Sequence, residues 1–146
     1  MNSKIVVNAL PETVWDYTQD WRRRKQWDST VEEVIKIEES PIKKINARFK
    51  GGAEFAIQYK QNDRPLSTSL AMTDSTSKWM IGGGGSWQYI RQGDCTEWTQ
   101  HNTIVFKDHF LVRLFAPVLK SFLQRSANVS MKKAKKIIEN QSAELS

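Results

Sequence analysis

The chain has 146 residues, 39% hydrophobic and 26% charged, which is the length of one domain with an ordinary globular composition and excludes a disordered or fibrous protein. Its seven glycines and four prolines exclude low-complexity character, and its lone cysteine, Cys95, excludes an internal disulfide or a cysteine zinc cluster. A net charge of +6 favours an anionic partner (a membrane surface, nucleic acid or a carboxylate ligand) without choosing among them.

Taken in chain order, Ile5-Val6-Val7 favours a short first strand. Pro11 suits the first turn of a helix and Glu12 its positive end, which predicts a helix over 11–19. A second helical turn is expected over 21–26. From residue 29 the hydrophobic period drops to two. Val31, Ile35 and Ile37 begin an extended run. Ile45, Ala47 and Phe49 share one face of the next, and Phe55, Ile57 and Tyr59 share one face of the third. Leu66, Thr68, Leu70 and Met72 alternate with Ser67, Ser69 and Thr73. Trp79 and Ile81 lead through Gly82–Gly85 to Trp87 and Tyr89, and Trp98, Gln100, Asn102, Ile104 and Phe106 share a last face. Six consecutive strand-like runs with hairpin-length connections read as an antiparallel meander.

The last third returns to helical spacing, with Leu111, Leu114, Phe115, Val118, Leu119, Phe122, Ser126, Val129 and Ile137 along one stripe. Pro117 interrupts it. We read one long helix over 110–139, kinked at Pro117, with a tail frayed from Gln141. The apolar stretch from Phe110 to Leu119 contains Arg113 and is too short to span a membrane. The first residues are too weakly apolar for a secretion signal. Residues 1–146 are thus expected to form a single domain in a reducing, cytoplasmic setting. A curved sheet wrapped on one amphipathic helix encloses a cavity wherever side chains do not fill the space between them.

Several segments carry a family resemblance. Ala9-Leu10-Pro11-Glu12-Thr13-Val14-Trp15-Asp16-Tyr17 resembles the opening helix of the START-like (SRPBCC) superfamily. Trp27-Asp28-Ser29-Thr30-Val31-Glu32-Glu33-Val34 is similar to its second-strand entry. Arg48-Phe49 followed by glycine, Gly93-Asp94-Cys95-Thr96 and the leucine-rich helix with an internal proline also fit. The resemblance is stronger to the polyketide cyclase/dehydrase and lipid-transport group than to the pollen-allergen group. It implies an α+β helix-grip fold: a seven-stranded curved antiparallel sheet around a long C-terminal helix, with two short helices after the first strand and a deep apolar cavity.

By strand parity and helix phase, the expected cavity lining is Phe49, Phe55, Ile57, Tyr59, Leu70, Met72, Trp79, Trp87, Tyr89, Trp98, Gln100, Asn102, Phe115, Leu119 and Phe122. The competing reading is a solid packed core. Tyr59, Tyr89, Gln100 and Asn102 are the expected polar contacts, since a buried phenol or amide needs a partner. Gly82–Gly85 is followed by a strand rather than a helix, which argues against phosphate binding. Those glycines are expected to bend or bulge a strand, with a flexible lip at the cavity mouth as a further role. The basic run Arg22-Arg23-Arg24-Lys25, set between Trp21 and Trp27, reads as a solvated run after a helix C-terminus, with single-stranded nucleic acid as the lesser reading. The lysines 132, 133, 135 and 136 read as a solvated face, with membrane docking as the lesser reading.

His101 falls on the outward parity and His109 near the last helix, so no metal site is expected. Asp108 is a candidate helix cap. No nucleophile motif appears, catalytic residues are unassigned, and no cofactor is expected. The leading expectation is binding or transport of an apolar small molecule or lipid, with an anionic one favoured by charge. A cyclase/dehydratase-type enzyme and a protein-interaction or membrane-docking module are the alternatives. Nucleic acid is not the expected partner; a transient membrane contact and the oligomeric state stay open.

Overall fold

The computed structural model describes residues 1–145. It begins with β1 (Asn2–Val7), α1 (Pro11–Thr18) and α2 (Arg24–Trp27), continues through β2 (Val31–Glu38), β3 (Lys44–Phe49), β4 (Glu54–Asp63), β5 (Ser67–Ser75), β6 (Met80–Gln92) and β7 (Cys95–Phe106), and ends in α3 (Phe110–Leu145). Pro11 occupies the first turn of α1, where its missing N–H costs nothing. The strands form one antiparallel sheet in the order β1-β7-β6-β5-β4-β3-β2. The fold is the helix-grip architecture that the resemblance implied.

Sheet order has an immediate consequence. β1 and β2 lie at opposite edges, so the segment carrying α1 and α2 must cross from one edge to the other. Its buried face (Val14, Trp15, Tyr17, Trp21 and Trp27) shows that it crosses over packed side chains rather than solvent. One apolar cluster joins Val7, Val14, Trp15, Trp27, Trp87, Tyr89 and Trp98 to Met131, Ala134 and Ile138 of α3. A second joins Trp21, between α1 and α2, to Ile45, Ala47, Phe55, Ile57 and Tyr59 on β3 and β4. Arg64, in the β4–β5 turn, makes a two-pronged ion pair with Asp16 of α1 (2.7 and 2.8 Å), which ties the crossing segment to that hairpin.

α3 runs unbroken through Pro117 for 36 residues, about 54 Å at the usual rise. It continues through residues 141–145, where a frayed tail was expected. Its two halves differ. The second half is pinned by Met131, Ala134 and Ile138 and by polar bonds to the β1 region, Lys135 Nζ to the Val6 carbonyl (2.6 Å) and the Asn8 N–H to Glu139 Oε1 (2.8 Å), and just before it Gln124 Nε2 bonds Ser3 Oγ (2.6 Å). In the first half Val112 is buried, whereas Phe110 is 75% and Val118 68% exposed. At the start of α3 it is His109, not Asp108, whose side chain accepts a backbone N–H, from Leu111 to Nδ1 at 3.2 Å. Asp108 instead pairs with Arg113.

The four glycines sit inside β6, paired with β7 through Gly83↔Ile104, Gly84↔Thr103 and Gly85↔Asn102. The register shifts between Met80 and Gly82, so the expected irregularity falls at the entry to the run. The main requirement for glycine is closeness of neighbouring chains. A Cβ on Gly83 would lie 2.6 Å from the Thr103 carbonyl oxygen, and one on Gly84 would lie 2.8 Å from that of Leu70. At Gly82 the nearest atom would be a comfortable 3.8 Å away. Gly83→Ala is therefore expected to destabilise the fold by about 1–3 kcal/mol in denaturant titration, whereas Gly82→Ala should be near neutral. Equal effects would show that backbone crowding is not what glycine relieves there.

Candidate functional site

A hollow of about 820 Å³ lies between the concave face of the sheet and α3. Phe49, Phe55, Ile57, Leu70 and Met72 line it from β3, β4 and β5. Trp79 and Trp87 border it at the start and middle of the β6 region, and Gln100 and Asn102 from β7. Leu119 and Phe122 face it from the first half of α3. These are the positions that strand parity and helix phase assigned inward.

Four of the expected lining residues lie elsewhere. Tyr59, Tyr89 and Trp98 have the inward parity but are sealed in the packed end of the concavity, beneath α1, α2 and the second half of α3. Tyr89 packs against Trp15 with ring centroids 5.1 Å apart, and Trp98 packs against Trp27 and Trp87 at 5.5 Å each. Phe115 lies about half exposed, edge-on to Trp79 at 6.4 Å.

The two phenols belong to a closed hydrogen-bond chain whose direction is set by its ends. Trp21 Nε1, which can only donate, donates to Tyr59 OH (2.8 Å), and that hydroxyl donates to Gln19 Oε1 (2.8 Å). Gln19 Nε2 donates to Tyr89 OH (2.7 Å). Thr18 Oγ1 gives its single proton to the Val14 carbonyl (2.8 Å), so Tyr89 must be the donor in its 2.7 Å bond to Thr18. Every member is satisfied within the protein, so neither phenol is left to orient a guest. Burial pushes both phenols above the ordinary tyrosine range, outweighing the opposing effect of the hydrogen bonds that Tyr59 shares with Trp21 and that Tyr89 shares with Thr18 and Gln19.

Gln100 and Asn102 form a second, shorter chain. Trp87 Nε1 donates to Asn102 Oδ1 (3.3 Å), and Asn102 Nδ2 donates to Gln100 Oε1 (3.1 Å). Gly85, directly opposite Asn102, makes room for that carboxamide: a Cβ there would lie 2.6 Å from Oδ1.

Arg24 also borders the hollow, and its place in a basic run hid it. It is only 8% exposed, with Cζ 4.4 Å from the Trp21 ring centroid and 4.6 Å from those of Trp27 and Trp87. Nε donates to Asp28 Oδ2 (2.8 Å), while Nη1 has no hydrogen-bond acceptor. Thr30 fills the other carboxylate oxygen through its N–H (3.0 Å) and hydroxyl (2.6 Å). The legible signal was the spacing Trp21-Arg24-Trp27, three residues apart and so on one face of a helical turn, with Asp28 one turn beyond Arg24. Arg22, Arg23 and Lys25 are solvated as expected.

His101 is exposed on the outer face and bonded to Asn2. Among the described residues no three His, Cys, Asp or Glu side chains gather as a metal site, and no helix is long and apolar enough to cross a membrane.

A family model for polyketide cyclase/dehydrase and lipid transport matches residues 1–139. A search of curated proteins gave no match. Among solved structures, TTHA0849 from Thermus thermophilus superimposes with a TM-score of 0.80 at 15% identity, covering 97% of this chain and 98% of its own. The Zhui aromatase/cyclase from Streptomyces sp. R1128 gives 0.80 at 12% identity, covering 97% and 94%. A START superfamily protein from Mycobacterium smegmatis gives 0.66 at 12% identity, covering 100% and 98%. At these identities the likeness is one of fold.

The buried phenols have a pH signature. Their folded pKa values lie above the unfolded value near 10, so the native state holds its phenolic protons longer than the unfolded chain does. That contribution is complete below about pH 10 and is lost as pH rises toward the folded values, by up to about 1.4 kcal/mol per pH unit for each phenol. Unfolding free energy measured by urea titration from pH 8 to 11.5 is expected to fall along this slope. The Tyr59→Phe/Tyr89→Phe variant should start lower at pH 8, by about 1–3 kcal/mol per lost bond, and fall less steeply. Parallel curves would remove the phenols as the cause.

Proposed function

The chain belongs to the polyketide cyclase/dehydrase and lipid-transport family, and on that footing we propose that it binds an apolar small molecule or lipid in the hollow and carries or sequesters it. The observation that supports this most directly is the hollow itself. Its 820 Å³ falls in the range of small-molecule sites, and its walls are largely aliphatic and aromatic with a few placed polar groups. Burial of apolar surface supplies the affinity, at about 25 cal/mol per Å² before the costs of association.

Carriage is favoured over a cyclase-type reaction by the state of the titratable groups. Asp28 borders the hollow, but both its oxygens are engaged by Arg24 and Thr30. Tyr59 and Tyr89 are withdrawn from the hollow, with their protons committed to Gln19 and Thr18. A proton-transfer step needs a group within reach of the guest, and these candidates are already occupied. Native mass spectrometry of freshly purified protein is expected to show a population carrying a small apolar adduct, and Met72→Trp, which intrudes into the hollow from β5, should reduce it while keeping the fold. A wild-type chain that stays at its sequence mass and takes up no dodecanoate on titration would overturn the reading.

The surface supports a second reading, in which the first half of α3 rests on an anionic lipid surface. Leu111, Leu114, Phe115, Val118 and Phe122 are exposed along it, with Phe110 at its start. From His109 to Ile138 the sequence has no acidic residue but contains Arg113, Lys120, Arg125 and four lysines. An apolar stripe flanked by a run rich in cations, of which Arg113 pairs with Asp108 and Lys135 with Glu139, suits an interfacial helix. Cosedimentation with vesicles of phosphatidylcholine and phosphatidylglycerol is expected, with less on pure phosphatidylcholine, less in high salt and less for Phe110→Asp/Val118→Asp. Equal binding to both vesicle types, or a dimer covering α3 in sedimentation velocity, would overturn it.

A further inference from the structure

We propose that the polar end of the hollow offers hydrogen-bond donors without a matching acceptor, so that the guest presents an oxygen acceptor, a carbonyl or a carboxylate, on an otherwise apolar body. This rests on the guest-binding reading above and specifies the chemistry of that same site.

The argument starts from a group whose polarity is fixed. An indole N–H can only donate. Trp87 Nε1 therefore requires an oxygen from Asn102, and Oδ1 stands 3.3 Å away. Asn102 must then turn its NH₂ toward Gln100, whose Oε1 receives it at 3.1 Å. Gln100 has spent its oxygen, and what remains at the end of the chain is an NH₂ group. Gln100 is 4% exposed and borders the hollow. Unlike the chain through Gln19, which ends on the Val14 carbonyl, this one ends on a donor.

Arg24 adds to the same imbalance from the other side of Trp87, whose ring it covers at 4.6 Å. Its Nε is spent on Asp28, and its Nη1 has no acceptor. Among the described residues, the buried side-chain nitrogens and oxygens without a partner are Arg24 Nη1, Trp27 Nε1 and Trp98 Nε1, and all are donors. Arg24 and Trp27 border the hollow, but these nitrogens are themselves sealed beneath its wall, so they set the sign of the surroundings and the NH₂ of Gln100 is the donor that meets a guest. Asp28, the carboxylate that borders it, is filled by Arg24 and Thr30 and has no oxygen left without a bond. The serine and threonine hydroxyls of the lining can donate or accept, so they do not set the sign. An ammonium head would meet the NH₂ of Gln100 with the Arg24 cation close behind it, whereas a carbonyl or carboxylate oxygen would accept from that NH₂.

The test is calorimetric titration of the full chain with dodecanoate, 2-dodecanone and dodecylammonium, which share a chain and differ in the head. The wild type should bind the ketone and the carboxylate, with the ammonium at least tenfold weaker. The neutral ketone separates hydrogen bonding from the overall positive charge. Gln100→Leu removes the donor without burying a charge, and should weaken ketone and carboxylate about tenfold, the equivalent of about 1.4 kcal/mol, without changing the ammonium. Gln100→Glu, checked for an unchanged circular dichroism spectrum, should shift preference toward the ammonium. Equal affinity for all three heads, unaltered by Gln100→Leu, would overturn the donor assignment and leave guest binding standing. If no probe binds the wild type, the guest-binding reading falls as well.

Discussion

The structure depends most on one side chain, the carboxamide of Gln19. The segment between β1 and β2 has to cross the sheet from edge to edge, and sheet order alone does not say how deeply it sits. Gln19 sets that depth by accepting from Tyr59 on β4 and donating to Tyr89 on β6. An amide has one accepting end and one donating end, so the two phenols cannot exchange roles, and the crossing chain is held in one orientation. An unmade bond in this buried setting costs about 1–3 kcal/mol, so the arrangement is far cheaper complete than partial.

From that constraint follows the division of the concave face. One end is filled by the crossing segment and the second half of α3, and there the indoles and phenols pack ring against ring. The other end receives only the first half of α3, which stands off from the sheet and leaves the hollow. The same side-chain chemistry thus serves two purposes within one sheet. Where a polar chain closes on itself it stiffens the core, and where it ends at the hollow it leaves a group able to recognise something else.

Much of this was legible in the sequence. Period-two runs marked the strands, and their parity put Phe55, Ile57, Leu70, Gln100 and Asn102 on the face that borders the hollow. Parity reports a face, however, and not a position along it. Tyr59 shares the face of Ile57, and Tyr89 that of Trp87, yet both lie under an element far away in sequence. Arg24 was missed for a related reason. Read along the chain it is one of four consecutive basic residues, but folded on a helical turn it separates from its neighbours and joins Trp21 and Trp27. The need for glycine at 85 depends on cross-strand register with Asn102, which no local pattern encodes.

The uneven anchoring of α3 also bears on how the molecule breathes. Its second half is held by Met131, Ala134, Ile138 and bonds to the β1 region, whereas the turns before Leu119 contribute one buried side chain, Val112. Segments with so little buried apolar surface detach at a free energy well below that of global unfolding. Exchange of the proposed guest can therefore proceed through fluctuations confined to those turns, with all seven strands still zipped together.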